Sequence, residues 1–502
     1  MKPATRIIVN TAAQYLRALI SIIVQLYIVR VVLQTLGESD YGVYNVVAGL
    51  IIMLGFITNS LLISTQRFIS FYFGKGLIKE TRKIFSNSCL IHLVFAALLA
   101  LILLCVQEPI FQHVLNINPD RVEVAKIVYK IVILAIIFSI FTAPYKALFI
   151  ARENIVYISI VEIVDALLKL GFALSLSLFA YDNLIVYAWM NAFIYFFSFA
   201  AFLIFATLKY NESSLKGFFY NINKQYILKL LGFTGWTTYG AFTVALKTHG
   251  LAVVLNHFLG ELVNAAYGIA IRIFFAMSNV SSALLNAMNP QIIKAEGADD
   301  RKKMLMLATK ECKYSSLCII FFAIPVIVNM DEILKLWLVD VPQYTNIFTR
   351  FILIAFIADQ LTLGLQTANQ AIGKIKTYSL MVYTPKLLLL PFAYYILCNG
   401  GDVTMVMWMY LIVEIIVSVS RVPYLKKTAG LTIKYFIKGV IVPVIPIILI
   451  SLILSIIMLN ANFNFLVNIA LTFIITSISI WFIALDEMER TFVKGFFKKK
   501  NS

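Results

Sequence analysis

The chain has 502 residues, of which 61% are hydrophobic and only 13% are charged. Globular domains carry about 25% charged residues, so this composition is typical of a protein with many membrane spans and excludes a soluble domain of ordinary size. A formal net charge of +17 would suggest nucleic acid as the partner of a soluble protein. Here the positive charge is confined to alternate loops, which favours the membrane surface and predicts no nucleic-acid partner.

The apolar segments predict an all-α polytopic membrane protein with about fourteen transmembrane helices. Most of the segments approach the twenty or so residues that a helix needs to cross a bilayer. The predicted spans are 12–36, 41–65, 84–106, 124–149, 155–180, 184–208, 231–257, 262–288, 314–330, 346–371, 376–398, 403–422, 437–459 and 465–485.

The loops between these spans alternate in charge. On one side the loops hold most of the lysines and arginines, whereas on the other side the only cations are Arg121 and Lys335. Cytoplasmic loops carry an excess of Lys and Arg, so both termini are predicted to lie in the cytoplasm. The cations assigned to the inner side include Lys146, Arg152, Lys209, Lys294 and Arg421.

The chain also contains an internal repeat. Leu36-Gly37-Glu38 recurs as Leu259-Gly260-Glu261, Tyr41-Gly42 as Tyr267-Gly268, and Tyr157 as Tyr378, at offsets of about 221–226 residues. This offset covers six spans, so the sequence predicts two six-helix lobes of parallel orientation. The predicted domains are an N-terminal lobe (1–209), a cytoplasmic interfacial linker (210–230), a C-terminal lobe (231–425) and a C-terminal segment of two further spans with a basic tail (426–502).

Three predicted helix faces each carry one cation among amides, hydroxyls and glycines, and none carries a carboxylate. On the first face the polar side chains fall within a wedge of about 80°. A cation at the bilayer centre costs roughly 2.5–3.5 kcal/mol, so these faces predict a basic, hydrogen-bonding cavity for an anionic, polyhydroxylated substrate. The faces are Asn10, Gln14, Arg17, Ser21 and Gln25; Trp236, Gly240, Thr243, Lys247 and Gly250; and Asn264, Gly268, Arg272, Asn279 and Asn286.

The candidate substrate-binding residues are therefore the three cations and the amides beside them. Alternatives remain open: a cation near a helix end can extend to the interface, and the two mid-span cations could form buried ion pairs with Asp359 or Glu414. The candidates are Arg17, Lys247, Arg272, Gln14, Gln25 and Asn279.

Four acids are candidates for gating or coupling, because an intramembrane carboxylate is a candidate relay by default. Asp40 could instead be a helix N-cap, and Asp165 could form an i,i+4 pair with Lys169. Asp359 and Glu414 complete this set.

The sequence predicts neither an enzyme nor a metal or cofactor site. The four histidines lack metal-ligand spacing, the five cysteines form no CxxC motif, and there is no P-loop.

Several motifs resemble those of bacterial polysaccharide flippases, the O-antigen type transporters of lipid-linked oligosaccharides. This family belongs to the multidrug/oligosaccharidyl-lipid/polysaccharide (MOP) exporter superfamily. The motifs are Leu36 to Asn45, Gln66 to Ser70, Pro144 to Asn154, Asn264 to Ala270 and Asn289-Pro290-Gln291.

The resemblance implies two lobes that flip an undecaprenyl-diphosphate-linked oligosaccharide across the bacterial inner membrane by alternating access. It also implies a cationic lumen, with Arg17, Arg272 and Asp40 at the matching positions, whereas Lys247 is added from its helix face alone. The implied partners are the lipid-linked oligosaccharide, the lipid bilayer and the polymerase and chain-length machinery of surface polysaccharide synthesis.

Two rival functions remain. A MATE-like, cation-coupled multidrug antiporter would share the architecture but would need acids on its polar faces. A membrane glycan polymerase or acyltransferase would need catalytic residues on longer outer loops.

Overall fold

The structure is a computed structural model that describes residues 3–52, 54–113, 117–213, 221–338, 341–461 and 463–491. The described residues form helices joined by short turns, with no β-strand among them, so the predicted all-α fold is confirmed. Within the predicted linker, residues 214–220 lie outside the described residues, as does the basic tail from residue 492.

The chain divides into two compact units, and the predicted lobe boundaries stay a prediction. Unit 1 comprises Met1–Ala241 and Ile293–Asp299, and unit 2 comprises Phe242–Ile292 and Asp300–Ser502. The helices are α1 (Pro3–Ile52), α2 (Gly55–Gly74), α3 (Ile78–Cys105), α4 (Gln107–His113), α5 (Val122–Ala151), α6 (Ile155–Ser175), α7 (Asn183–Lys209), α8 (Lys224–Leu259), α9 (Glu261–Gly297), α10 (Arg301–Val328), α11 (Met330–Trp337), α12 (Thr345–Gln360), α13 (Leu363–Ile372), α14 (Ile375–Leu387), α15 (Leu389–Cys398), α16 (Val403–Ala429), α17 (Ile433–Phe436), α18 (Val442–Asn460) and α19 (Phe465–Ser479).

The glycine of the repeated Leu-Gly-Glu motif has a positive φ in both copies. Gly37 breaks α1 with a φ of 78°, and Gly260 separates α8 from α9 with a φ of 82°. Both values lie in the left-handed region that glycine adopts without a steric cost. The predicted turns between the first and second spans, and between the seventh and eighth, therefore have a common local cause.

Within the described residues, ten helical segments are long and apolar enough to cross a membrane, or eleven if the bent pair α12 and α13 forms one span. The predicted spans 41–65, 155–180 and 231–257, which overlap α2, α6 and α8, are not among these segments. The reason is clearest for α6, where Glu162, Asp165 and Lys169 interrupt the apolar sequence. The count of fourteen therefore stays a prediction.

In unit 1, α5 is the central helix and packs against α2, α3 and α7, while α6 packs against α1. Val47, Val128 and Leu184 are fully buried in the core that these helices form. Tyr129 is buried there too, and its hydroxyl donates a hydrogen bond to the carbonyl oxygen of Leu103, 2.9 Å away. This satisfied polar group fixes the packing of α5 on α3.

In unit 2, α10 packs against α12 and α13 on one side and against α18 and α19 on the other. Helices α18 and α19 pair through buried polar groups, with Ser455 Oγ donating to Asn468 Oδ1 at 2.8 Å. After α19, Glu489 accepts a hydrogen bond from Lys313 Nζ of α10 at 2.7 Å. The two C-terminal spans are therefore part of the core of unit 2.

Two glycines allow the ends of α2 and α9 to approach closely within unit 1. A Cβ at Gly74 would overlap the carbonyl oxygen of Lys294, and a Cβ at Gly297 would overlap that of Phe71. We expect Gly74→Ala to destabilise the protein by about 1–3 kcal/mol, because the backbone of α9 has to move. The check is the temperature at which half of the detergent-solubilised protein remains monodisperse.

Gly171 of α6 is the control for this substitution. A methyl group added at Gly171 would meet no atom of another residue within 4 Å, so Gly171→Ala adds helix propensity without a clash. We expect this variant to be as stable as the wild type or more stable by about 0.5–1 kcal/mol. Equal melting temperatures for Gly74→Ala and Gly171→Ala would contradict the close approach of α2 to α9.

Candidate functional site

Unit 1 contains a charged cavity of about 380 Å³, here named cavity 1. Its lining comes from α1, α2, α5, α6 and α7. Glu162, Asp165 and Lys169 of α6 point into it because their spacing of three and four residues places them on one helix face. Lys146 of α5 faces them. The charged residues that interrupt the apolar sequence of α6 therefore line a cavity.

Glu162 of cavity 1 is the centre of a three-residue cluster, of which Lys146 also lines the cavity and Arg17 does not. Its carboxylate accepts hydrogen bonds from Arg17 Nη1 at 2.6 Å and from Lys146 Nζ at 2.5 Å. The side chains of Glu162 and Arg17 are 20% and 30% exposed, so water screens this pair only in part. Two cations on one carboxylate leave the cluster with a formal charge of +1.

Asp165 and Lys169 have separate partners. The hydroxyl of Ser198 donates a hydrogen bond to Asp165, and the ammonium group of Lys169 lies 5.8 Å from the ring centroid of Tyr195. No ion pair joins the two residues among the described contacts, so the i,i+4 alternative for Asp165 is not the arrangement found.

Unit 2 contains a second charged cavity of about 250 Å³, here named cavity 2. Glu414 of α16 accepts hydrogen bonds from Lys247 Nζ and Lys386 Nζ, each at 2.7 Å. Lys247 also donates to the hydroxyl of Tyr410 at 3.0 Å. All three charged side chains are buried, with relative exposures of 5–7%. The ion-pair alternative for Lys247 is therefore the arrangement found.

A second ion pair lines cavity 2. Arg421 Nη2 lies 2.8 Å from Asp359 Oδ1, and the Arg421 side chain is only 2% exposed. Arg421 Nη1 also donates to the hydroxyl of Thr362 at 3.2 Å. Cavity 2 is thus lined by three cations and two acids, whereas cavity 1 is lined by two of each, with Arg17 paired to Glu162 from outside the lining.

Asp40 belongs to a different cluster of unit 1. Arg121 forms ion pairs with both Asp40 and Asp182, with Nε donating to Asp40 Oδ1 at 2.8 Å and Nη1 donating to Asp182 Oδ2 at 2.6 Å. Burial opposes the ionisation of Asp182, but the hydrogen bonds from Arg121 outweigh it and hold the pKa of the carboxyl below its ordinary value. The sequence assigns all three residues to outer loops, and that assignment stays a prediction.

The structure brings together only some of the predicted binding residues. Arg17 lies in the Glu162 cluster, Lys247 lies in cavity 2, and Gln14 is buried in α1. Arg272, Asn279 and Gln25 are exposed, and none of them lines cavity 1 or cavity 2.

Sequence reasoning misses three of the cations in these cavities. It counts Lys146 and Arg421 among the inner-loop cations, although its predicted spans 124–149 and 403–422 contain them. In the structure both side chains lie within helices, α5 and α16, and pair with acids. Sequence reasoning gives Lys386 no role. The position of Lys386 inside a predicted span is the signal that could have identified it, since an intramembrane cation implies a nearby partner.

The MatE family model matches residues 11–175 of the chain. A search of curated proteins found no match. Among solved structures, a MATE transporter in the straight conformation is 12% identical, with a TM-score of 0.72 over 86% of this chain and 97% of that one. A Vibrio cholerae MATE transporter in the bent form is 16% identical, with a TM-score of 0.66 over 87% and 100% of the two chains.

A MOP superfamily transporter from Pyrococcus furiosus is also similar, at 12% identity and a TM-score of 0.69 over 86% of this chain and 96% of that one. Likeness at these identities establishes the fold. The chain therefore has the fold of MATE transporters of the MOP superfamily, and its apolar helices are those of an integral membrane protein.

Proposed function

We propose that this protein is a membrane exporter that moves its substrate by alternating access. The match to the MatE family model and the fold support a transporter rather than an enzyme. One of the similar structures is a multidrug resistance transporter of the MATE family. On the comparisons alone, a cation-coupled multidrug antiporter is favoured over the lipid-linked oligosaccharide flippase that the sequence predicts.

The charges of the two cavities support an anionic substrate, and this observation carries the flippase proposal. In unit 1, Glu162 and Asp165 face three cations, namely Arg17, Lys146 and Lys169. Three positive and two negative charges give a formal sum of +1. An exporter of organic cations would instead need acids that protein cations leave unneutralised. Of the two acids in cavity 1, Asp165 has no ion pair among the described contacts, but these three cations of unit 1 outnumber the two acids.

The balance in unit 2 is the same. Glu414 and Asp359 face Lys247, Lys386 and Arg421, again three cations against two acids. The similar Pyrococcus furiosus transporter is described as having a binding pocket of reverse polarity that suggests a different function. We infer that the polarity of the cavities can likewise separate this protein from its multidrug relatives.

The proposed substrate is an undecaprenyl-diphosphate-linked oligosaccharide of surface polysaccharide synthesis. Its diphosphate would interact with the cations, and its sugars with amides and hydroxyls such as Asn59, Asn191 and Ser139 of cavity 1. An interior-negative potential favours export of such an anion by roughly 2.3 kcal/mol per charge per 100 mV. Arg272, Asn279 and Gln25 remain proposed contacts on exposed helix faces.

Reconstituted proteoliposomes can test both functions. We expect a potassium–valinomycin potential to drive flipping of a fluorescent polyprenyl-diphosphate glycan without a sodium or proton gradient. Lys169→Met should slow this flipping, because it removes the net positive charge of cavity 1 and Arg17 taken together. Lys335→Gln, at an exposed residue paired with Glu332, is the control and should transport like the wild type.

A different result in the same proteoliposomes would identify a multidrug antiporter. If a proton or sodium gradient drives ethidium uphill while the lipid-linked glycan stays in its leaflet, the protein is a multidrug antiporter. The flippase proposal then fails although the fold is unchanged.

A further inference from the structure

Unit 1 contains a third cavity, of about 610 Å³, here named cavity 3. Four cations from separate parts of the chain line it, and Glu153 is the one acid among its lining residues. All four cations lie on the side predicted to be cytoplasmic. They are Arg6 of α1, Arg152 after α5, Lys209 at the end of α7 and Lys294 near the end of α9.

The acids near cavity 3 neutralise only half of this charge. Glu153 lies 2.7 Å from Lys294 Nζ and 3.7 Å from Arg6 Nη1. Glu212 pairs with Arg152, but its side chain is fully buried and does not line the cavity. Four cations and two acids give cavity 3 a formal charge of +2.

The cations are held in place by the fold. The guanidinium of Arg152 and the ammonium of Lys294 lie 4.2 and 4.8 Å from the ring centroid of Phe73, on a shared aromatic base. The turn that carries Glu153 is fixed by a hydrogen bond of 3.0 Å from Asn10 Nδ2 to the Glu153 carbonyl oxygen. Glu153 itself has a φ of 60°, an uncommon conformation for a residue other than glycine.

Two of the cations are available to a ligand. Arg6 and Lys209 are exposed, and the ammonium group of Lys209 lies 4.9 Å from the Phe205 ring with no ion pair to an acid among the described residues. Asn154 adds a polar group beside them. The cavity thus has two exposed cations, Arg6 and Lys209, and two further cations that are positioned by Phe73.

We propose that cavity 3 binds the phosphate headgroup of an anionic membrane lipid. A diphosphate ester, like the two phosphodiesters of cardiolipin together, carries about two negative charges at neutral pH, which would balance the formal charge of the cavity. Basic pockets at the cytoplasmic ends of membrane helices are suited to such headgroups. Three sources share this chemistry: a polyprenyl diphosphate, an ordinary anionic phospholipid and free pyrophosphate. The proposal goes beyond the transport function, because binding requires no translocation.

The test measures lipid binding to the purified full-length protein by native mass spectrometry. The probes are a short-chain polyprenyl diphosphate, cardiolipin and inorganic pyrophosphate, with phosphatidylcholine as the zwitterionic comparison of zero net charge. Each cation near an anionic headgroup contributes about fivefold in affinity, so Arg6→Gln combined with Lys209→Gln should weaken binding about 25-fold. Lys426→Gln combined with Lys427→Gln, in the exposed last turn of α16, should have no effect.

The three probes distinguish the sources. Preference for the polyprenyl diphosphate would identify a substrate headgroup, equal binding of cardiolipin would identify a phospholipid site, and competition by pyrophosphate would confirm that phosphate is recognised. Arg6→Lys combined with Lys209→Arg keeps the charge and should retain binding. The proposal is overturned if the Arg6 and Lys209 double variant binds lipid with unchanged affinity. It is also overturned if the Lys426 and Lys427 control loses as much affinity. Both outcomes are independent of whether the protein transports glycans.

Discussion

Glu414→Gln is expected to destabilise the protein by about 3–5 kcal/mol, because it breaks a buried ion-pair cluster. The amide keeps the shape of the side chain but removes the charge that neutralises Lys247 and Lys386. Both ammonium groups lie 2.7 Å from the Glu414 carboxylate, and both residues are 7% exposed, so water cannot replace the lost partner. The measurement is thermal unfolding in detergent, with the yield of monodisperse protein as a second readout.

Two further variants test whether burial of the charges causes the destabilisation expected of Glu414→Gln. Glu332→Gln removes an exposed acid that pairs with Lys335 at 3.0 Å, and it should change stability by less than about 1 kcal/mol. Replacing both Lys247 and Lys386 by Met in the Glu414→Gln background should restore most of the stability, because no buried charge remains. If Glu414→Gln unfolds at the wild-type temperature, the two lysines do not depend on Glu414.

The backbone of the repeat could be predicted from the sequence because its cause is local. Gly37 and Gly260 adopt left-handed conformations within the same three-residue motif, so the motif alone determines the turn. The apolar character of the helices is similarly readable from the sequence. The fold class follows from these local signals without knowledge of distant contacts.

The charge pairs could not be predicted in the same way. Lys386 and Glu414 lie on α14 and α16, and only the packing of these helices brings them together. Arg17 and Glu162 are likewise on α1 and α6. A helix-face pattern can show that a cation needs a polar environment, but it cannot identify the acid supplied by another helix.

The repeat also places different charges in equivalent positions. Tyr157 and Tyr378 lie 221 positions apart, and the same offset relates Asp165 of cavity 1 to Lys386 of cavity 2. Positions that the predicted repeat relates therefore carry opposite charges in the walls of the two cavities. The predicted repeat does not determine the charges that line them.

Glu162→Gln provides the sharpest separation of the two proposed functions. The carboxylate neutralises Arg17 and Lys146 at 2.6 and 2.5 Å, so its removal raises the formal charge of cavity 1 and Arg17 together from +1 to +2. For an anionic substrate, we expect the KM for potential-driven flipping in proteoliposomes to fall about fivefold, since a cation near an anionic group contributes about 1 kcal/mol. Arg17→Ala should raise the KM by a similar factor.

A charge-restored variant shows whether the effect is electrostatic. Glu162→Gln combined with Lys146→Met returns the formal charge to +1, and we expect its KM to return toward the wild-type value. A cation-coupled antiporter would respond differently, because an acid that binds the coupling cation cannot be replaced by an amide. If Glu162→Gln abolishes transport of every substrate while the protein remains monodisperse, and the double variant does not recover, Glu162 is a coupling site and the multidrug antiporter becomes the better assignment.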